Sequence, residues 1–189
     1  MNLEEKQIER QEIFNGRVLH VVCDKVALPN GHTSTREFVL HNGAVCVIPI
    51  TDDGKVVLER QYRYAVGRVV TEIPAGKLDP GEDPLECAKR ELKEETGYTA
   101  DEFIDIGEYY GSPAILCEHI NMYLARGLHK GDGKLDEDEF LEVFEMPLDE
   151  LVDMVMENKI VDAKTQLCAI KAKMWLEREK INNIKRVHR

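Results

Sequence analysis

The sequence lacks several features that would place it quickly. It has no C-x-x-C pair, no internal repeat, no low-complexity segment and no long linker. Its five cysteines, Cys23, Cys46, Cys87, Cys117 and Cys168, are odd in number and dispersed. Neither a disulfide framework nor a zinc site fits them, and a reducing compartment does. No apolar run approaches the roughly 20 residues that span a bilayer. The opening stretch, MNLEEKQIERQEIF, is polar and acidic and has no apolar segment of the signal-peptide kind. The expectation is a soluble, cytoplasmic protein. Positive charge is also short: 25 Lys and Arg face 36 Asp and Glu, for a formal net charge of −11. That excess argues against nucleic acid or an anionic membrane as a partner. It leaves room for a small anionic substrate bridged to the protein by cations.

The chain of 189 residues is 43% hydrophobic, enough for a core of about one domain and too much for wholesale disorder. RVLHVVCDKVAL and STREFVLH read as strands around the turn PNGH. AVCVIPI reads as a buried strand. Asp53-Gly54 in TDDGK signals a hairpin to KVVLERQYRY. VVTEIPAG, FIDIGEYYG, INMYLARGL and FLEVFEMPL are further strand candidates. The period then changes. PLDELVDMVMENKI puts Leu148, Leu151, Val155 and Met156 on one helical face. Asp162 caps a last helix with Leu167, Ile170 and Met174 at helical spacing. Strands, one helix, more strands and terminal helices predict a mixed α/β (α+β) sandwich rather than an alternating parallel sheet. Residues 1–42 read as an appended antiparallel β subdomain, and 43–189 as the main domain. The first part is too small for its own core, so it is expected to pair with the main domain or a partner subunit.

One segment, AGKLDPGEDPLECAKRELKEETGY from Ala75 to Tyr98, is crowded with carboxylates. Asp83 is a good N-cap, Pro84 suits the first helical position, Glu86 completes a capping box and Gly97 stops the helix. The prediction is a helix over Pro84 to Thr96, with Leu85, Ala88 and Leu92 as its apolar stripe. Glu91 and Glu95 lie four apart beside that stripe, Glu94 sits on its flank, and Arg90 is four before Glu94. Glu91 and Glu95 repel, and the helix dipole disfavours them near the C-terminal end. A sequence built for stability alone would place lysine there. Spacing leaves two readings open: a solvated acidic face, or oxygen ligands for hard divalent cations.

The segment resembles the signature of the Nudix hydrolases, G-x5-E-x7-R-E-U-x-E-E-x-G-U, where U is apolar or aromatic. Gly76, Glu82, Arg90, Glu91, Leu92, Glu94, Glu95, Gly97 and Tyr98 all fall in register. RQYRYAVGRVVTEIPAGKLDPGEDPLE, TREFVLHNGAV and VDAKT are similar to the ADP-ribose pyrophosphatase branch, as is Pro113. The likeness runs from about Ile13 to Leu176. Two positions depart from it. Ala114 follows Ser112-Pro113 where the branch has glycine, which changes the allowed backbone there. Asn158 stands where relatives often carry glycine, a milder change because Asn tolerates the left-handed region.

The resemblance implies a Nudix fold, with a mixed central sheet between helices. It implies hydrolysis of a nucleoside diphosphate linked to another group, in this branch ADP-ribose to AMP and ribose 5-phosphate. It implies two or three Mg²⁺ or Mn²⁺ ions. Glu91, Glu95 and the Ala75 carbonyl are then metal ligands, Glu94 binds metal or acts through Arg90, and Glu82 supports the loop and helix. In the acidic loop KLDEDEFLEV, Glu139 becomes a metal-side carboxylate and Glu137 the general base. Arg36, Arg63, Glu72, Pro113 and Glu118 fall to the substrate, with Arg36 supplied across a homodimer. Tyr62 and Tyr64 are expected to pack rather than stack on adenine. The alternatives are hydrolysis of another nucleoside diphosphate sugar, such as GDP-mannose, and a non-catalytic nucleotide-sensing module. The second predicts lost ligands, yet Arg90, Glu91, Glu94 and Glu95 are all present.

Overall fold

In the computed structural model of the chain, residues 2–133 and 140–187 are described, with side chains through 182. The chain forms two units. The first takes Met1–Gly43 together with Tyr110–His119. Its antiparallel sheet has the order β1 (Lys6–Asn15), β2 (His20–Ala27) and β3 (Thr33–Leu40). β2 alternates as a half-buried strand should, with Val22, Asp24 and Val26 turned inward. The buried Asp24 is matched by the Arg10 fork, Nε and Nη2 each donating at 2.7 Å. That hydrogen bonding holds the Asp24 carboxyl below its ordinary range. β1 is exposed along its whole length.

The second unit takes Ala44–Tyr109 and Ile120–Arg189. One sheet is antiparallel, in the order β10 (Leu141–Pro147), β5 (Lys55–Arg63), β6 (Arg68–Glu72). The other is mixed, in the order β7 (Ala75–Lys77), β4 (Ala44–Pro49), β9 (Ile120–Lys130), β8 (Tyr98–Tyr109), with β4 and β9 parallel. β4 explains the layering. All six of its residues are buried, so both faces must be covered. Ala44, Cys46 and Ile48 pack with Leu148 and Leu151 of α2 (Leu148–Met156) and Cys168, Ala169 and Ala172 of α3 (Ala163–Val187). Val45 and Val47 pack on the other side with Cys87, Ala88 and Leu92 of α1 (Pro84–Thr96). The mixed α/β sandwich expected from the sequence is therefore the fold found. Each large apolar side chain buried in these layers contributes about 1.5–3 kcal/mol.

Several local expectations need correcting. The TDDGK turn forms, with Gly54 at φ 82° and Thr51 N–H donating to the Lys55 carbonyl at 2.8 Å. Its arms then part into different sheets, joined by a lone Ile50–Val56 bridge. VVTEIPAG is two strands rather than one, because Pro74 has no N–H to continue a ladder. On α2, Met156 is 71% exposed, and Val152 and Met154 pack inward instead. On α3 the buried face belongs to Cys168, Ala169 and Ala172, while Met174 is exposed. Small side chains there let the helix approach the sheet closely. Tyr62 and Tyr64 do not pack: they are 57% and 91% exposed. All five cysteines are free thiols. Asn158 has φ 59°, as its left-handed tolerance allows, and is the non-glycine residue with positive φ among the described residues. Ala114 is accommodated in a turn closed by Ile115 and Leu116 N–H donating to the Ser112 carbonyl, at 3.1 and 3.0 Å. No helix among the described residues is long and apolar enough to cross a membrane.

Candidate active site

Helix α1 carries the centre of the site, and its ends are set locally. The Asp83 carboxylate accepts from Leu85 N–H at 3.0 Å and Glu86 N–H at 3.2 Å. Gly97, at φ 75°, ends the helix by donating to the Lys93 carbonyl. The capping box is only half made, because the Glu86 carboxylate accepts from Lys89 at 2.7 Å. The buried stripe is Cys87, Ala88 and Leu92, with Glu95 continuing it at 8% exposed.

A carboxylate on that stripe faces protein, and here it faces strand β7. Ala75 and Gly76 pair with Cys46 and Val45 of the central strand. The Ala75 N–H donates to Glu95 Oε2 at 2.9 Å. Glu91 lies against Gly76 so closely that a Cβ there would sit 1.8 Å from Glu91 Oε1. Glycine is thus required at 76 for approach rather than for an unusual φ. The strand and the helix bring Glu91, Glu95 and the Ala75–Gly76 main chain to one place.

Arg90 organises the flank. Its Nε and Nη2 donate to the two oxygens of Glu82 at 2.9 and 3.0 Å. Its Nη1 donates to Glu91 Oε1 at 2.8 Å and Glu94 Oε2 at 3.1 Å. The Arg90 hydrogen bond, with help from the Asp79 N–H, lowers the Glu82 carboxyl to about 2. Glu82 in turn raises the Arg90 guanidinium above its ordinary value. Burial pushes the neighbouring Cys87 thiol up to about 12, so it stays protonated and inert.

Among the described residues, no group of three or more His, Cys, Asp or Glu side chains closes around one point to hold an ion. The groups that meet there are the Glu91 and Glu95 carboxylates beside the Ala75–Gly76 main chain. They suit a hard cation such as Mg²⁺, which takes one or two carboxylates and completes its shell with water and phosphate.

Arg63, at the end of β5, grips Glu72, at the end of β6, with Nε to Oε1 at 2.7 Å and Nη2 to Oε2 at 2.9 Å. Glu72 is 2% exposed. Burial alone would raise its carboxyl, but Arg63 and Lys164 outweigh that and lower it. Three of the expected substrate residues belong to the first unit. Arg36 donates to Glu5 Oε1 at 2.6 Å and to the Thr35 carbonyl at 2.8 Å. Pro113 is exposed beside its turn. Glu118 Oε1 lies 3.4 Å from His41 Nε2, and the Gly43 N–H donates to His41 Nδ1 at 3.0 Å. Glu137 and Glu139 lie outside the described residues. Sequence reasoning gave no role to Lys164, which donates to Glu72, and VDAKT was its only trace. It also missed Glu59, buried in β5 opposite Glu72, which an apolar run such as KVVLE conceals.

Residues 40–166 match the model of the family described as NUDIX domain. The chain belongs to the Nudix family. Its Nudix segment is the α1 and β7 assembly described above. An ADP-ribose pyrophosphatase of Bacillus subtilis (strain 168) is 45% identical over 166 residues, 87% of this chain and 90% of that protein. A protein of Bacillus methanolicus named methanol dehydrogenase activator is 47% identical over 164 residues, 86% and 89% of the two chains. A GDP-mannose pyrophosphatase of Yersinia enterocolitica is 36% identical over 135 residues, 66% and 69%. The crystal structure of an ADP compounds hydrolase superposes with a TM-score of 0.84 at 24% identity, over 95% of this chain and 98% of that one, a likeness of fold. As a Nudix hydrolase, the chain is an enzyme.

Proposed function

We propose that the protein hydrolyses the pyrophosphate of ADP-ribose, or a similar ADP-sugar, to AMP and ribose 5-phosphate in the cytoplasm. The observation that carries this is the meeting of Glu91 and Glu95 with the Ala75–Gly76 backbone. The 45% identity to an ADP-ribose pyrophosphatase supports the choice of substrate. Water attacks one phosphorus, a new P–O bond forms, and the bridging P–O bond breaks. One water is consumed for each AMP and ribose 5-phosphate released.

Glu91, Glu95, the Ala75 carbonyl and Glu139 hold two or three Mg²⁺ or Mn²⁺ ions. Bound there, the metal neutralises phosphate charge and acidifies water. Glu137 takes the proton from the attacking water. Arg90 fixes Glu91 and Glu94 by direct hydrogen bonds. Arg63 keeps its Nη1 edge for a phosphate while Glu72 holds the other edge. Arg36, Pro113 and Glu118 are further substrate residues, with Arg36 supplied across a homodimer that has residues 1–42 at its interface, and light scattering at micromolar concentration should show that dimer.

Nucleoside diphosphate sugars assayed with and without EDTA test the proposal. AMP should appear from ADP-ribose and vanish with EDTA. Turnover of GDP-mannose without ADP-ribose, or no turnover at all, would overturn it. Glu137→Gln should lower kcat by roughly 10²–10⁴-fold with KM little changed. Glu139→Gln should instead raise the Mg²⁺ needed for activity. If neither lowers kcat by even about threefold, the base is elsewhere. The Bacillus methanolicus relative supports a second reading, in which the chain stimulates a dehydrogenase. Stimulation that survives Glu95→Gln would favour that reading over hydrolysis.

A further inference from the structure

Between Glu72 and Ala75 the chain leaves one sheet and joins another. Such a crossing has no continuous ladder to fix it, so its backbone groups must find other partners. The Ile73 N–H donates to Thr165 Oγ1 at 2.9 Å. Pro74 has no N–H, and its carbonyl accepts from Val47 N–H at 2.9 Å. The Ala75 N–H goes to Glu95. The crossing is thus tied to α3, to β4 and to α1, one residue after another.

The tie to α3 is a chain of buried polar groups with every direction fixed. Thr165 is wholly buried. Its hydroxyl proton goes to Asp162 Oδ2 at 2.6 Å, which leaves its oxygen to accept from Ile73. Asp162 Oδ1 lies 3.0 Å from Lys164 Nζ. Lys164 Nζ also donates to Glu72 Oε2, and Glu72 holds the Arg63 fork. Two cations thus meet two carboxylates, with Glu72 and Lys164 buried, Asp162 partly buried and the Glu59 charge close to Arg63. Apolar residues of the same volume would serve stability as well or better. What this chain supplies instead is direction: it sets the plane of Arg63, whose side chain remains 40% exposed, and the place of the Ala75 peptide.

We infer that Lys164 and Thr165 are positioning residues. From the first turn of α3, Lys164 orients Arg63 through Glu72, and Thr165 fixes the Ile73–Ala75 crossing against Glu95. This rests on the proposed pyrophosphatase reading for the role of Arg63, and on the candidate cation site for that of Ala75.

Four variants and two readouts test it. Lys164→Met and Lys164→Arg probe the charge, while Thr165→Val and Thr165→Ser probe the hydroxyl. Steady-state kinetics with ADP-ribose give kcat and KM, and electron paramagnetic resonance gives the affinity for Mn²⁺ alone, without nucleotide. Loss of an outer partner of a metal site costs about 10–100-fold. Lys164→Met should raise KM about 10-fold with Mn²⁺ affinity near that of the parent, and Lys164→Arg should recover part of the loss. Thr165→Val should weaken Mn²⁺ binding about 10-fold and lower kcat, and Thr165→Ser should restore both. Should Lys164→Met not fold, Thr165→Val, which removes one neutral hydroxyl, still decides. Folded variants with parental KM, kcat and Mn²⁺ affinity would overturn the inference. A parent that binds Mn²⁺ but leaves ADP-ribose intact would sink the functional reading instead, and the Mn²⁺ arm would still judge Thr165.

Discussion

Two arginines in the same unit hold a glutamate by the same two-pronged grip, yet they sit in clusters of opposite character. Around Arg63 the contacts are matched: Arg63 and Lys164 meet Glu72 and Asp162, each oxygen of those two carboxylates has a donor, and Glu59 adds negative charge nearby. Around Arg90 the contacts are lopsided: one guanidinium serves Glu82, Glu91 and Glu94. Matched contacts are what a buried cluster needs simply to exist in low dielectric. Crowding carboxylates on one cation near a helix C-terminus costs stability instead. The first cluster is therefore read as one that holds parts in place, and the second as one that awaits further positive charge.

The largest effects should separate the two clusters. Glu95→Gln keeps the shape of the stripe and removes a charge aimed at the candidate cation site. Turnover should fall on the order of 10²–10³-fold, the scale of losing one aimed electrostatic group, with the melting temperature unchanged or raised. Glu72→Gln should do the reverse. It leaves Lys164 short of a counter-charge in a buried place, so stability should fall by about 3 kcal/mol. Urea melts of both variants, beside their kinetics, check the pair. If Glu95→Gln is the less stable and Glu72→Gln the less active, the comparison has been drawn the wrong way round.

A smaller effect is expected at Gly76. Alanine there needs no unusual φ, and the atoms nearest the added Cβ are Oε1, Cδ and Cγ of the Glu91 side chain. The fold should survive with the Glu91 carboxylate displaced. We expect kcat/KM to fall about 10–100-fold and the melting temperature to hold. Parental activity in Gly76→Ala would mean that Glu91 works from another position.

How much of this was legible in the sequence follows from how local each signal is. Helix α1 was readable to its ends because Asp83, Pro84 and Gly97 act within a turn of themselves. Glu82, Arg90, Glu91 and Glu94 were readable because one helix and its leading loop fix their spacing. The break at Pro74 was missed because the residues on either side of it, VVTEI and AG, look like strand. The packing face of α3 was misjudged because Cys168, Ala169 and Ala172 carry little apolar bulk, although small size is what close packing requires there. Apart from its place in VDAKT, Lys164 had no signal of its role: its partner Glu72 is 92 positions away. Periodicity reports which face is buried, and not which distant carboxylate waits across it.

The smallest effect concerns pH, and it sharpens the contrast between a buried grip and a half-exposed one. Glu82 is lowered from 4.5 to about 2, first by its hydrogen bond to Arg90. A folded-state value below the unfolded one means that the pair contributes stability above about pH 4.5 and loses it as pH falls toward 2. Arg90 stays charged throughout, so the change belongs to the carboxylate. A carbon-13 titration of the Glu82 carboxyl should therefore show a midpoint well under 4.5. The stability difference between the parent and Glu82→Gln should be flat from pH 7 to 5 and shrink below about 4.5. Because the pair is partly exposed, added salt should reduce that difference, whereas the buried Glu72 cluster should be much less sensitive. A Glu82 midpoint at the ordinary carboxylate value would show that the Arg90 grip is not held in solution, and Glu91 and Glu94 would then need another cation to keep them together.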